Sequence, residues 1–163
     1  MVLTPHILIG AAIGARIRHP LLIIGLGLLS HLILDKLPHW DYHNKGISGF
    51  RRDKNFKNLV IDLIKAGIDG LIGVMLVVFL LYRNRMVFQT DKLIFIMLGV
   101  VSATLPDFFL FLVHLFFPTK TAEKILAFHS NFLHCKKEGY QITFLNLATG
   151  IFIILLSIFL LSV

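Results

Sequence analysis

Apolar residues along the chain fall into long, nearly uninterrupted runs that short basic segments separate. The three longest runs lie at residues 59–82, 92–117 and 142–161, and the last of them is almost purely apolar. A helix rises about 1.5 Å per residue, so each run is long enough to cross the roughly 30 Å hydrocarbon layer of a bilayer. Pro106 lies deep inside the second run and predicts a kink there.

Two shorter helices are predicted before these runs. Thr4 and Pro5 form a helix-start signal, a capping hydroxyl followed by proline at the first helical position, and the helix runs to about residue 17. Pro20 opens a second helix over residues 21–36. The remaining segments are more polar: we expect residues 41–57 to form a loop, and 118–140 to contain a short interfacial helix at about 122–135.

The pattern predicts an all-α integral membrane bundle of about five helices, four or five of them spanning, in a single domain over residues 1–163. Gly10 and Gly14 lie one turn apart on the first helix. Small residues at this spacing let a second helix approach closely, so we expect a tight helix pair there.

Composition supports a membrane protein. Hydrophobic residues make up 56% of the 163 residues and charged residues only 15%, which leaves too little polar material to cover a soluble domain. The net charge is +7, and the basic residues lie mainly between the apolar runs. This placement fits contact with lipid headgroups better than binding of nucleic acid. Cys135 is the only cysteine, which excludes an intramolecular disulfide and a cysteine-built zinc finger.

The loops predict an orientation. We call side A the side that holds residues 36–57 and 118–140, which carry ten lysines and arginines. The opposite side B carries five, in residues 16–18 and 83–92. Because cytoplasmic loops are enriched in basic residues, side A is expected to be cytoplasmic.

Ionisable residues inside apolar helices are costly and mark candidate functional sites. His31 and Asp35 are four residues apart, so they project from one helix face and can share a cation. Asp62, Lys65 and Asp69 also share a face, where they form either an ion-pair ladder or part of a site.

Asp107 follows the predicted kink. It and the ionisable residues named above all lie in the half of their helix that is nearer to side A. A mixed shell of imidazole and carboxylate groups suits zinc, manganese or iron.

Three segments resemble predicted bacterial membrane-bound metal-dependent hydrolases: residues 4–10 (TPHILIG), 30–41 (SHLILDKLPHWD) and 105–107 (LPD). The second segment is also distantly similar to the His-x-x-x-Asp ligand pair of zinc-dependent phospholipase C. The chain departs from the membrane-bound group at Phe109, where that group usually has an acid. By resemblance, the metal ligands would be His6, His31, Asp35, His39 and Asp107.

Three functional hypotheses follow. The first is a hydrolase that holds a divalent metal, zinc before manganese or iron, with Asp69 or His129 as the base or a supporting group. Its expected substrate is a phosphoester of a membrane lipid or other amphiphile at the cytoplasmic face of a bacterial-type inner membrane. The second is a small transporter or ion-binding protein that uses Asp62, Asp69 and Asp107, and the third is a non-catalytic scaffold that a metal clamps.

Overall fold

The structure, a computed structural model, describes residues 2–39, 45–85, 90–116 and 143–162, together with residues 120, 124, 127 and 128. This part of the chain is helical and contains no strand, which confirms the expected all-α architecture. The helices in chain order are α1 (Leu3–Arg16), α2 (Pro20–Lys36), α3 (Lys45–Asp53), α4 (Phe56–Arg83), α5 (Thr90–Phe116) and α6 (Phe144–Ser162).

Three helices in the described ranges are long and apolar enough to cross a membrane: α4, α5 and α6. The sequence predicted four or five spanning helices. The difference lies in α1 and α2, which have 14 and 17 residues and therefore reach only about 21 and 26 Å. Both are shorter than the roughly 20 residues of an average spanning helix, so whether α1 and α2 span stays a prediction.

The prediction of a loop over residues 41–57 was wrong in its centre, where α3 forms. Two glycines and several charges suggested irregular structure, but Asp62 of α4 accepts hydrogen bonds from the backbone amides of Gly46 and Ile47 at 2.7 and 3.2 Å. These amides belong to the first turn of α3, whose amide groups have no partner inside the helix, so a side chain from another helix caps α3. The predicted interfacial helix at 122–135 lies almost entirely outside the described residues.

α1 packs tightly on α5, as its two glycines predicted. A Cβ atom on Gly10 would lie 2.5 Å from the carbonyl oxygen of Gly99, and one on Gly14 would overlap the Phe95 carbonyl group. Gly99 in turn has no room for a Cβ beside Gly10. The two backbones are therefore in direct contact, which only glycine permits.

The core lies around α1. Its apolar side chains pack against α4, α5 and the end of α6, and the fully or nearly buried set comprises Ile7, Leu8, Ala11, Ala12, Val77, Leu80, Leu81, Ile96 and Leu161. The outward faces of α4, α5 and α6 are apolar and exposed, with large side chains such as Met75, Met97 and Phe152. A continuous apolar exterior around a packed core is typical of a bundle whose solvent is lipid.

One end of the bundle collects three helix ends. Arg16, at the end of α1, donates two hydrogen bonds to the carbonyl oxygen of Leu160, at 3.0 and 2.7 Å. Asn84, which follows α4, donates to the carbonyl oxygen of Leu161 at 2.8 Å. These bonds satisfy carbonyl groups that α6 leaves open at its end. They also bring the side B segments after α1 and α4 to the same end of the molecule.

Candidate metal centre

Four side chains from three helices meet where α5 carries its internal proline. His6 comes from the first turns of α1, His31 and Asp35 come from the second half of α2, and Asp107 directly follows Pro106 in α5. The close approach of α1 and α5 brings His6 and Asp107 together. The spacing of four residues places His31 and Asp35 on one face of α2.

His6, His31 and Asp107 bring their ligand atoms close together, and Asp35 contacts both histidines. His31 Nε2 lies 3.2 Å from Asp35 Oδ2 and 3.8 Å from Asp107 Oδ1, and His6 Nε2 lies 3.4 Å from Asp35 Oδ1. One ligand atom each of His6, His31 and Asp107 lies within 4.8 Å of the others. The two imidazole rings are 4.4 Å apart between centroids, with an angle of 30° between their planes.

These separations suit a metal ion. With zinc–nitrogen and zinc–oxygen bonds of about 2.0–2.2 Å, two ligand atoms of a tetrahedral site lie about 3.3–3.6 Å apart. The His–Asp distances of 3.2–3.8 Å are close to that range. Both ring nitrogens of His6 are buried, and neither makes a hydrogen bond to any residue the structure describes.

A backbone group fixes the orientation of His31. Its Nδ1 lies 2.9 Å from the carbonyl oxygen of Ala103, which can only accept a hydrogen bond, so Nδ1 carries the proton and donates it. The other nitrogen, Nε2, then presents its lone pair to the cluster. Metal-binding histidines are usually held in this way.

Burial differs among the four side chains. His6 and His31 are completely buried and Asp35 is 1% exposed, whereas the Asp107 side chain is 33% exposed. A dry interior strengthens the attraction between a cation and carboxylates, and it makes an uncompensated cluster of this kind costly. Three side chains of the cluster are thus enclosed, and the fourth, Asp107, is partly exposed.

The remaining predicted site residues have other surroundings. His39 is buried, and its Nδ1 lies 2.7 Å from the carbonyl oxygen of Leu37. It is not part of the group of ligand atoms within 4.8 Å that the described residues form, so its role as a ligand stays a prediction. His129 lies outside the described residues.

Asp69 caps α1. Its carboxylate accepts hydrogen bonds from the Leu3 amide and, at 2.7 Å, from the Thr4 hydroxyl, which also lies 2.8 Å from the Asp69 carbonyl oxygen. Asp69 therefore holds the first turn of the helix that carries His6. A role as the base stays a prediction.

Asp62 has a similar role seven residues earlier. It caps α3 through Gly46 and Ile47 and forms an ion pair with Lys65 at 3.0 Å. One rung of the predicted ion-pair ladder is thus present. Because Asp62 and Asp69 each accept hydrogen bonds from the start of another helix, both have a structural reason to lie in α4.

No local sequence pattern indicated that the Ala103 carbonyl group is a partner of His31. Pro106 indicated only a distorted turn that contains Ala103, because the carbonyl group that loses its helical partner to this proline is that of Ser102, four residues earlier. Only the Thr4 hydroxyl indicated that the start of α1 is capped. The sequence did not indicate its partner Asp69, which lies on the distant helix α4.

No family model, curated protein or solved structure that was compared with the chain matches it. The resemblance to membrane-bound metal-dependent hydrolases therefore stays a prediction.

Proposed function

We propose that this protein is a membrane-embedded metal-dependent hydrolase that cleaves phosphoesters of lipids or other amphiphiles. His6, His31, Asp35 and Asp107 would hold a divalent ion, with zinc the first choice and manganese or iron the others. The observation that carries the proposal is the convergence of two imidazoles and two carboxylates, with His31 oriented by a backbone carbonyl group.

Each residue of the cluster has a definite task in this proposal. His31 and His6 offer neutral nitrogens, and the two aspartates supply the negative charge that balances a dication. The bound ion would supply a hydroxide nucleophile at neutral pH and would polarise the phosphoryl group. In the reaction, an oxygen from water bonds to phosphorus, the ester P–O bond breaks, and the alcohol leaves with a proton.

Asp69 supports the site at a distance in this proposal, because it holds the start of α1 and thereby the position of His6. His129 is retained as a candidate base.

The exposure of Asp107 favours a catalytic site over a structural clamp. Catalytic zinc sites have three protein ligands and leave a fourth position for water or substrate. One ligand atom each of His6, His31 and Asp107 lies within 4.8 Å of the others, and Asp35 lies against both histidines. With one ligand 33% exposed, the cluster has a side from which substrate can approach. We place side A, and with it the site, toward the cytoplasm of a bacterial-type inner membrane, because side A holds ten of the fifteen loop lysines and arginines on the two sides.

Hydrolysis by the purified protein tests the proposal. The protein is loaded with zinc in detergent, and release of phosphate from long-chain alkyl phosphates is measured. The variant His31→Ala/Asp35→Ala should lose activity, and His19→Ala should keep it, because His19 is an exposed residue at the start of α2. Equal activity in the double variant and the wild type would contradict the proposal, as would an inactive wild-type protein that holds stoichiometric zinc.

A further inference from the structure

The four ligands differ in where they can be reached. Within the described residues, His6, His31 and Asp35 are sealed between helices, and the side chain of the cluster that can be reached is Asp107. The direction in which this opening faces decides which molecules can enter. The position of Asp107 along α5 and the residues around Asp107 indicate the direction in which the opening faces.

The length of α5 gives an expected depth for Asp107. α5 has 27 residues and its middle residue is Ala103, so Asp107 lies four residues, or about 6 Å, toward side A from the middle of the helix. If the middle of α5 marks the middle of a roughly 30 Å hydrocarbon layer, the opening lies about 9 Å below the side A boundary.

The surface around the opening is apolar. Phe108, the residue after Asp107, is 57% exposed. Thr104 and Phe111, three residues before and four after Asp107, share its helix face and are partly exposed. Asp107 therefore lies at the edge of the surface that α5 presents to lipid.

A basic residue lies on the side A end of the site. Lys36 is exposed in the last turn of α2 and directly follows Asp35. A lysine near a membrane boundary extends its ammonium group toward the headgroups, where it attracts anions. A phosphate can therefore be drawn from the headgroup layer along this side of the bundle while its aliphatic chain stays in the hydrocarbon.

We infer that the metal site is entered sideways from the bilayer through the flank of α5 around Asp107, so its substrates are phosphate esters of long-chain lipids and not water-soluble phosphoesters. This inference rests on the proposed hydrolase function and adds the route and the substrate class to it. An opening rimmed by phenylalanine at this depth favours a molecule that is already dissolved in the membrane, whereas a soluble ester must leave water to reach it.

A pair of substrates and a blocked opening test this route. The zinc-loaded protein is reconstituted in phosphatidylcholine vesicles and given hexadecyl phosphate in the bilayer or p-nitrophenyl phosphate in the water. Thr104→Trp places a large ring on the face of Asp107, and Phe111→Trp does so from the other side. Ile94→Trp is the control, since Ile94 is an exposed residue of α5 about 20 Å before Asp107.

We expect hexadecyl phosphate to be cleaved and p-nitrophenyl phosphate to be cleaved far more slowly. Thr104→Trp or Phe111→Trp should lower the rate of hexadecyl phosphate cleavage by on the order of 100-fold, which is the loss typical of a reacting group displaced by about 1 Å. The zinc content of both variants should equal that of the wild type. Ile94→Trp should react as the wild type does.

Two results would overturn the inference while the hydrolase function stands. One is cleavage of the soluble ester as fast as the lipid ester, and the other is full lipid activity in both blocked variants. Failure of zinc-loaded wild-type protein to cleave either ester would overturn the hydrolase function itself, and the route with it.

Discussion

The contact between α1 and α5 should control the proposed metal site, and Gly10→Ala tests this link. The added Cβ would lie 2.5 Å from the Gly99 carbonyl oxygen and 2.9 Å from the Ala103 Cβ. The first distance is 0.9 Å less than the 3.4 Å at which ordinary van der Waals contact begins. Both neighbouring atoms belong to the backbone or to a Cβ, so neither can rotate away and the helices must separate.

The separation acts on stability and on the site together. Overpacking of a tight core contact costs about 1–3 kcal/mol. His6 lies one turn before Gly10 on the same face of α1, so it moves away from α5 and Asp107. Metal–ligand distances tolerate changes of only about 0.2 Å, so zinc affinity should fall on the order of 10- to 100-fold, the range for changes that disturb ligand positioning.

Gly25→Ala is the matched control, because a Cβ at Gly25 meets no atom within 4 Å. Alanine is favoured over glycine inside a helix by about 1 kcal/mol, so this variant should be as stable as the wild type or slightly more so. Thermal unfolding in detergent and competitive zinc titration are measured for both variants. The reasoning is refuted if Gly10→Ala unfolds at the temperature of Gly25→Ala and binds zinc equally well.

Three further changes have defined outcomes. Asp69→Ala leaves the Leu3 amide and the Thr4 hydroxyl without their acceptor, so stability should fall by about 1–3 kcal/mol in thermal unfolding, whereas Asp69→Asn, which keeps an acceptor oxygen, should lose less. Asp62→Ala removes the cap of α3, so amide hydrogen exchange should accelerate over Lys45–Asp53 and stay unchanged in α6; equal protection in the variant would show that the cap is dispensable. Removal of zinc with a chelator should lower the unfolding temperature of the wild type, since free zinc at 100 times its Kd stabilises by about 2.7 kcal/mol; an equal decrease in His31→Ala/Asp35→Ala would mean that zinc stabilises the protein elsewhere.

The sequence predicted those features that depend on local spacing. The apolar runs located α4, α5 and α6, and the Gly10–Gly14 spacing predicted the close helix contact. The spacing of His31 and Asp35 predicted a shared helix face, and the two side chains do lie together.

Other features depend on how distant helices meet, which no local pattern encodes. α3 forms in a segment of weak helix propensity because Asp62, on another helix, satisfies its first amides. The roles of Asp62 and Asp69 as helix caps were not predicted for the same reason. An acidic residue in an apolar helix has the same sequence pattern whether it caps another helix or binds an ion. The position of Asp107 in the side A half of its helix indicated only a shared end of the bundle with the other acids. Its pairing with His6, about a hundred residues away in the chain, was expected only from the family resemblance.

Metal content of the purified protein tests the central claim most directly. The protein is purified in detergent, and zinc, manganese and iron are quantified by elemental mass spectrometry beside His31→Ala/Asp35→Ala and His19→Ala. The account predicts stoichiometric metal in the wild type and in His19→Ala, and its loss in a double variant that remains folded. A folded wild-type protein that retains none of these metals after loading with each ion would contradict the account.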